Sequence, residues 1–258
     1  MTIKKTAAIA GGALLSLALM GSVNAQEGEG PAIIEIFGCT FNDGNDLGDL
    51  MAVTGRWNDW VDENGIVDYT ANILTPHLYS TAFPYDVVWL GVYDNPRDMG
   101  VGEANWLADG QAMNAEFGEV VTCSIHAQFA GLPVHMPEEV PDQEDGMVNL
   151  TAFQDCSLIN QSNAQEAIAA HQQWGDWVAE NGSDVFMGAL FPIAGEDPAA
   201  EYDYKAVTGF SSAEAYGNFV ATVIPGGLQR GGQIFGRVTQ CDTPRLYQSI
   251  QVRAPAAD

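Results

Sequence analysis

Past residue 25 the chain carries one lysine, Lys205. Nine Lys and Arg stand against 34 Asp and Glu in all, for a formal net charge of −25. So acidic a surface repels phosphate backbones and anionic headgroups, which excludes nucleic acid and anionic lipid as partners; it favours solubility and divalent cations. Long apolar runs are equally scarce. After residues 7–20 no second one follows, so no membrane span is expected in the rest of the chain. Neither a Gly-x-Ser-x-Gly elbow nor a P-loop is present. Asp43, Asp46 and Asp49 lack the Gly and Glu that an EF-hand loop requires. There is no C-x-x-C pair, and His77, His126, His135 and His171 are scattered, so no metal and no cofactor are called for.

What is present begins with an address. Lys4 and Lys5 precede the apolar residues 7–20, and Val23-Asn24-Ala25 offers small residues at a cleavage site. Residues 1–25 therefore read as a secretory signal peptide, with cleavage after Ala25 and a periplasmic or secreted product. Hydrophobic residues make up 47% of the chain, enough for a packed core.

One phrase occurs twice. Trp57-Asn58-Asp59-Trp60-Val61-Asp62-Glu63-Asn64-Gly65 returns as Trp174-Gly175-Asp176-Trp177-Val178-Ala179-Glu180-Asn181-Gly182, 117 residues on. At the same offset Cys39 matches Cys156, and Tyr85-Asp86 matches Tyr202-Asp203. After one insertion Phe117-Gly118 and Cys123 match Phe235-Gly236 and Cys241. This register points to an internal repeat, 32–130 and 148–253, joined by an acidic, proline-rich linker over 131–147.

Each half reads strand, helix, strand, strand, helix, strand. In the first, the strands fall at 32–39, 67–74, 86–93 and 117–129. The loop at 42–46 ends in a helix cap, Asn64-Gly65 stops the first helix, and Asn95-Pro96 opens the second. Residues 75–84 read as an irregular loop. In the second half, strands are expected at 148–156, 185–191, 204–210 and 233–240, with an extended segment at 246–252. Asn163 with Glu166, and Ser211 with Glu214, read as capping boxes. Gly226-Gly227 and Gly231-Gly232 read as a turn.

Four cysteines in an exported chain point to disulfides. The repeat favours Cys39–Cys123 with Cys156–Cys241; Cys39–Cys156 with Cys123–Cys241, joining the halves, is the alternative.

The order of elements resembles a tandem ferredoxin-like pair and, more narrowly, the dimeric α/β-barrel superfamily. The resemblance covers about residues 32–252 and rests on topology, not on a catalytic motif. It implies an α+β fold of two βαββαβ repeats with their sheets face to face, an intramolecular α/β-barrel-like pair. Members include small monooxygenases, haem-handling proteins and domains without known chemistry. Haem-binding members use a His on a helix or adjoining loop; here His171 and His77 have Thr54 and Ala194 as their matches in the other half.

The Trp pairs lie at helical spacing, which implies core packing before ligand stacking. Glu63 and Glu180 close a helix, where the dipole disfavours an acid, and read as exposed. Tyr85-Asp86 and Tyr202-Asp203 read as contacts at a strand start. The 75–84 loop differs most between halves, so the ligand-binding candidates are His77, Tyr79, Phe83, Tyr85, Trp89 and Tyr202. The function read from these residues is non-catalytic binding of a small apolar or aromatic molecule, or of a protein partner. The alternative is a haem-using or cofactor-free oxidoreductase.

Overall fold

The computed structural model describes residues 30–66, 69–80, 83–138 and 149–254. Residues 1–29, with the segment read as a signal peptide, and residues 139–148, most of the segment read as a linker, lie outside the described residues. In chain order the elements are β1 (Ala32–Phe41), α1 (Leu47–Glu63), β2 (Tyr69–Leu78), β3 (Val87–Tyr93), α2 (Pro96–Asp109), α3 (Gln111–Val120) and β4 (Val121–His135). Then come β5 (Asn149–Leu158), α4 (Ala164–Glu180), β6 (Phe186–Ala194), β7 (Tyr204–Phe210), α5 (Ala213–Thr222), a π turn (Val223–Gly227), α6 (Leu228–Phe235), β8 (Thr239–Cys241) and β9 (Arg245–Arg253).

Strands pair in the order β1-β3-β2-β9-β5-β7-β6-β4, and β4 returns to β1. All these pairings are antiparallel, so eight strands close into one barrel, while β8 extends the β9 edge of β5. The expectation of two face-to-face sheets is corrected here. β4 runs 15 residues, past its pairing with β1 and through the first residues of the segment read as linker, to pair with β6. β9 likewise pairs with both β5 and β2. These two long staves leave no exposed edge between the halves.

Alternation along the strands sorts side chains into two layers. Ile34, Val88, Phe129, Phe153 and Tyr247 fill the barrel interior, as eight strands allow. Ile33, Cys39, Tyr69, Val87 and Tyr93 face outward to α1–α3, and Leu150, Met187 and Tyr204 face α4–α6. The disulfides are Cys39–Cys123 and Cys156–Cys241, each between directly paired strand residues.

The echoed phrase has one structural meaning in both places. Asn64 Nδ2 donates to Trp60 O at 2.8 Å and Asn181 Nδ2 to Trp177 O at 2.7 Å. Gly65 and Gly182 follow with φ of +65° and +94°, the left-handed stop. Glu63 and Glu180 are exposed. Asp86 Oδ2 accepts from Phe41 N, and Asp203 Oδ2 from Leu158 N, so these acids bind the end of the neighbouring strand. Asp46, with Asp49, and Asn163, with Glu166, form capping boxes.

Several boundaries differ from expectation. β2 continues to Leu78 because β9 pairs with it as far as Leu246, with a register shift after Pro76. Phe117 belongs to α3, where it packs against Trp89 rather than opening a strand. Ser212, not Ser211, caps α5, accepting from Ala215 N at 3.1 Å. The paired glycines lie within helical turns. A Cβ at Gly227 would stand 3.1 Å from the Trp174 ring and 3.2 Å from that of Trp177, so glycine admits the tryptophans of α4. The fourth strand of the second half therefore starts only at Thr239.

Candidate functional site

A cavity of about 410 Å³ lies between the outer face of the sheet and α1–α3. Its walls include Phe37, Trp57, Trp60, Trp89, Trp106 and Phe117. Trp57 and Trp89 stand at 89° with centroids 4.8 Å apart, and Trp60 and Trp106 at 88° and 5.3 Å. Rings at right angles make walls rather than stacks, so each keeps a face uncovered by its partner.

At 117 residues' distance the same positions are filled differently. Where the first half has Val87 and Thr54, the second has the larger Tyr204 and His171, both buried. Thr239 donates to Ser157 O and Tyr204 to Thr239, which leaves the Tyr204 oxygen to accept from His171 Nε2 at 2.9 Å. His171 is thus the neutral Nε2–H tautomer, and burial lowers its pKa to about 4.

The floor of the cavity is polar. Glu35, 5% exposed, is the one acid in the apolar run of β1. Its position opposite Gly91 of β3 makes room: a Cβ on Gly91 would collide with the Tyr69 hydroxyl. Tyr69 donates to Glu35 Oε2 at 3.1 Å and accepts from Trp89 Nε1 at 3.0 Å. Gln128 Nε2 donates to Glu35 Oε1 at 3.1 Å and to Glu103 Oε1 at 2.8 Å. His126 Nε2 lies 3.6 Å from Glu35 Oε1, and its ring stacks on Phe37 at 3.8 Å. A register shift at Gly38/Cys39 gives Ser124 no partner in β1, turning Cys123 and His126 to the same face.

Burial pushes the Glu35 carboxyl up, but hydrogen bonds from His126, Gln128 and Glu103 outweigh it and hold it below the usual range. Burial and the Glu35 charge raise Glu103. Of the two, Glu103 thus keeps its proton to the higher pH. Burial, then the Glu35 charge, raises Tyr69 and Tyr93 too, so both phenols stay neutral.

Glu35, Glu103 and His126 bring potential ligand atoms within 4.8 Å of one another, the described group best able to hold a cation. Cys156, His171 and Cys241 are also close, but those sulfurs form a disulfide and offer no thiolate. A haem iron needs an imidazole nitrogen aimed into an open slot, and the histidines fit poorly: His135 Nε2 lies 2.8 Å from Asp184 Oδ1. His171 is bound to Tyr204 within the core, His77 Nδ1 lies 3.4 Å from Gln248 on the exposed end of β2, and His126 lies flat on Phe37.

Of the six candidates read from the sequence, the cavity takes in Trp89. Tyr79 is 61% exposed. Phe83 packs edge-on against Tyr85 and Tyr247 in the barrel interior, and the Tyr85 ring occupies the space of a Cβ on Gly38. Tyr202 packs there as well, with Lys205 Nζ 3.9 Å from its ring centre. The structure thus divides the set between two faces of one sheet. The reading missed Glu35, Glu103, His126 and Tyr69. The signal for Glu35 was legible, a lone acid inside Ile33-Ile34-Glu35-Ile36-Phe37; no pattern marked Glu103, which α2 brings in from far along the chain.

No family model and no curated protein matches the sequence. Solved structures share the fold. An anthrone oxidase-like protein superposes with a TM-score of 0.52 at 11% identity, over 90% of this chain and 97% of that one. A protein assigned as a monooxygenase from Fusobacterium nucleatum gives 0.54 at 7%, over 87% and 94%. A mutant chlorite dismutase from Candidatus Nitrospira defluvii gives 0.51 at 10%, over 86% and 92%. These similarities show the fold, a closed antiparallel barrel with helices packed on its outer face.

Proposed function

We propose that the protein is exported and binds a small aromatic molecule between the helices and the outer face of the barrel in its first half. The carrying observation is the 410 Å³ cavity walled by aromatic rings, a volume typical of small-molecule sites. Export is supported by the sequence of residues 1–25 and by the two disulfides, which persist outside a reducing cytosol. The halves, 32–130 and 148–253, are read as tandem ferredoxin-like copies of one βαββαβ unit. The matched caps, strand-end acids and disulfides support that reading. One copy kept or widened its cavity and the other filled it.

Calorimetric titration with 2-naphthol tests the binding. The wild type binds it, and Val87→Tyr, which copies the filled half, abolishes binding while leaving the melting temperature unchanged or higher. Absence of heat with the wild type, or unchanged affinity in the variant, contradicts the proposal.

A cofactor-free oxidoreductase is the second reading. Its support is the pair of buried Glu35 and half-buried Glu103 beside Tyr69, two carboxyls within one cavity. Oxygen uptake in the presence of 2-naphthol, above that of a Glu35→Gln variant, distinguishes it from binding alone.

A further inference from the structure

We propose that the cavity selects an organic cation, an aromatic or quaternary ammonium, held against the tryptophan walls with Glu35 as its counter-charge. The proposal rests on the cavity being a ligand site and adds the charge of the ligand.

Three observations carry it. First, the walls present π faces in a box: Trp57 with Trp89 and Trp60 with Trp106 are perpendicular pairs, and Phe117 stands edge-on to Trp89 at 80°. Such cages attract ammonium groups through the ring quadrupole, and the attraction grows when water is excluded. Second, the charge on the floor is negative and incompletely answered. Glu35 is almost fully buried, and Tyr69 and Gln128, which hold its oxygens, are neutral. No Lys or Arg lines the cavity, and the facing imidazole of His126 is half exposed at 3.6 Å. With no Lys or Arg among its partners, the hydrogen-bonded Glu35 carboxylate leaves the site complementary to a cation and hostile to an anion. Third, the filled half lacks the same elements together: at the 117-residue offset Ala152 stands for Glu35 and Ala206 for Trp89. Glu35 and Trp89 thus line the cavity, whereas the second half keeps Trp174 and Trp177 but has alanine at both of those positions. The net charge of −25 further concentrates cations near the surface.

The titratable groups facing the site are Glu35 on β1, Tyr69 on β2, Tyr93 on β3, His126 on β4 and Glu103 on α2; α1 and α3 present none to it.

The test uses the full chain and two-ring probes that differ in charge: N-methylquinolinium, neutral quinoline at mildly alkaline pH, and 2-naphthoate. Calorimetry is expected to show N-methylquinolinium binding about tenfold or more tighter than quinoline, and 2-naphthoate not at all. Glu35→Gln brings the cation-to-neutral ratio to about one. Should that variant fail to fold, Trp106→Leu, at a partly exposed position on α2, lowers the ratio severalfold. Equal affinity for the charged and neutral probes, or a ratio untouched in both variants, overturns the proposal. Quinoline binding without cation preference would leave the cavity reading standing; no binding by any probe, 2-naphthol included, removes both.

Discussion

Two residues set opposite pH responses within one carboxyl pair. The depressed pKa of Glu35 contributes stability that is present above its unfolded value and lost as pH falls through its folded value. Glu103 is raised, so its contribution is present below its unfolded value and lost as pH rises through its folded one. Glu103→Gln, which fixes the protonated shape, is therefore expected to raise the melting temperature relative to wild type at alkaline pH. A melting series across pH checks this, and parallel curves for the two proteins would contradict it. His171 adds an independent term. Its pKa drops on folding from 6.5 to about 4, so the unfolded chain takes up the proton first. Full stability above pH 6.5 is lost as pH falls toward 4, by about 3 kcal/mol. Denaturant titrations of His171→Gln should show that loss abolished in this window.

At the scale of elements, the helices reach the barrel through missing side chains. A Cβ on Gly175 of α4 would stand 2.5 Å from His135 Cβ, so this glycine sets how closely α4 lies on β4. Gly175→Leu is expected to cost about 1–3 kcal/mol, the usual penalty of overpacking, read as a lower denaturation midpoint. Elements of this kind show what was legible beforehand. The boundaries of α1 and α4 followed from local chemistry, an oxygen that caps and an Asn-Gly that stops. β7 keeps the bounds the sequence implies, 204–210. α6 was not, because Gly226-Gly227 and Gly231-Gly232 carry a tertiary meaning, space for Trp174 and Trp177, that a local rule reads as a turn. The candidate site suffered similarly. The variable loop drew attention to His77 and Tyr79, whereas the cavity arises where the halves differ inside, at Val87 against Tyr204 and Thr54 against His171. A side-chain volume difference at a buried position has no signature until the opposing element is known.

For the molecule as a whole, closure and cross-linking divide the work. Each disulfide joins the first strand of a half to the strand that closes it, at sequence separations of 84 and 85. Chain-entropy reasoning gives about 4–5 kcal/mol for loops of this length. Loss of one bridge, as in Cys39→Ala with Cys123→Ala, is expected to lower the melting temperature without opening the barrel. The β4–β6 and β2–β9 ladders, the shared barrel interior and the Arg253–Asp62 ion pair hold the halves together without a disulfide between them. Two separate transitions in calorimetry would contradict this, since one closed sheet should unfold cooperatively.

The most direct measurement is a crystal structure of the protein grown with N-methylquinolinium. The ligand is predicted to lie within the walls formed by Trp57, Trp89 and Trp106, its charged nitrogen turned toward Glu35. A cavity closed by its own side chains, or the probe bound elsewhere on the molecule, would contradict the account.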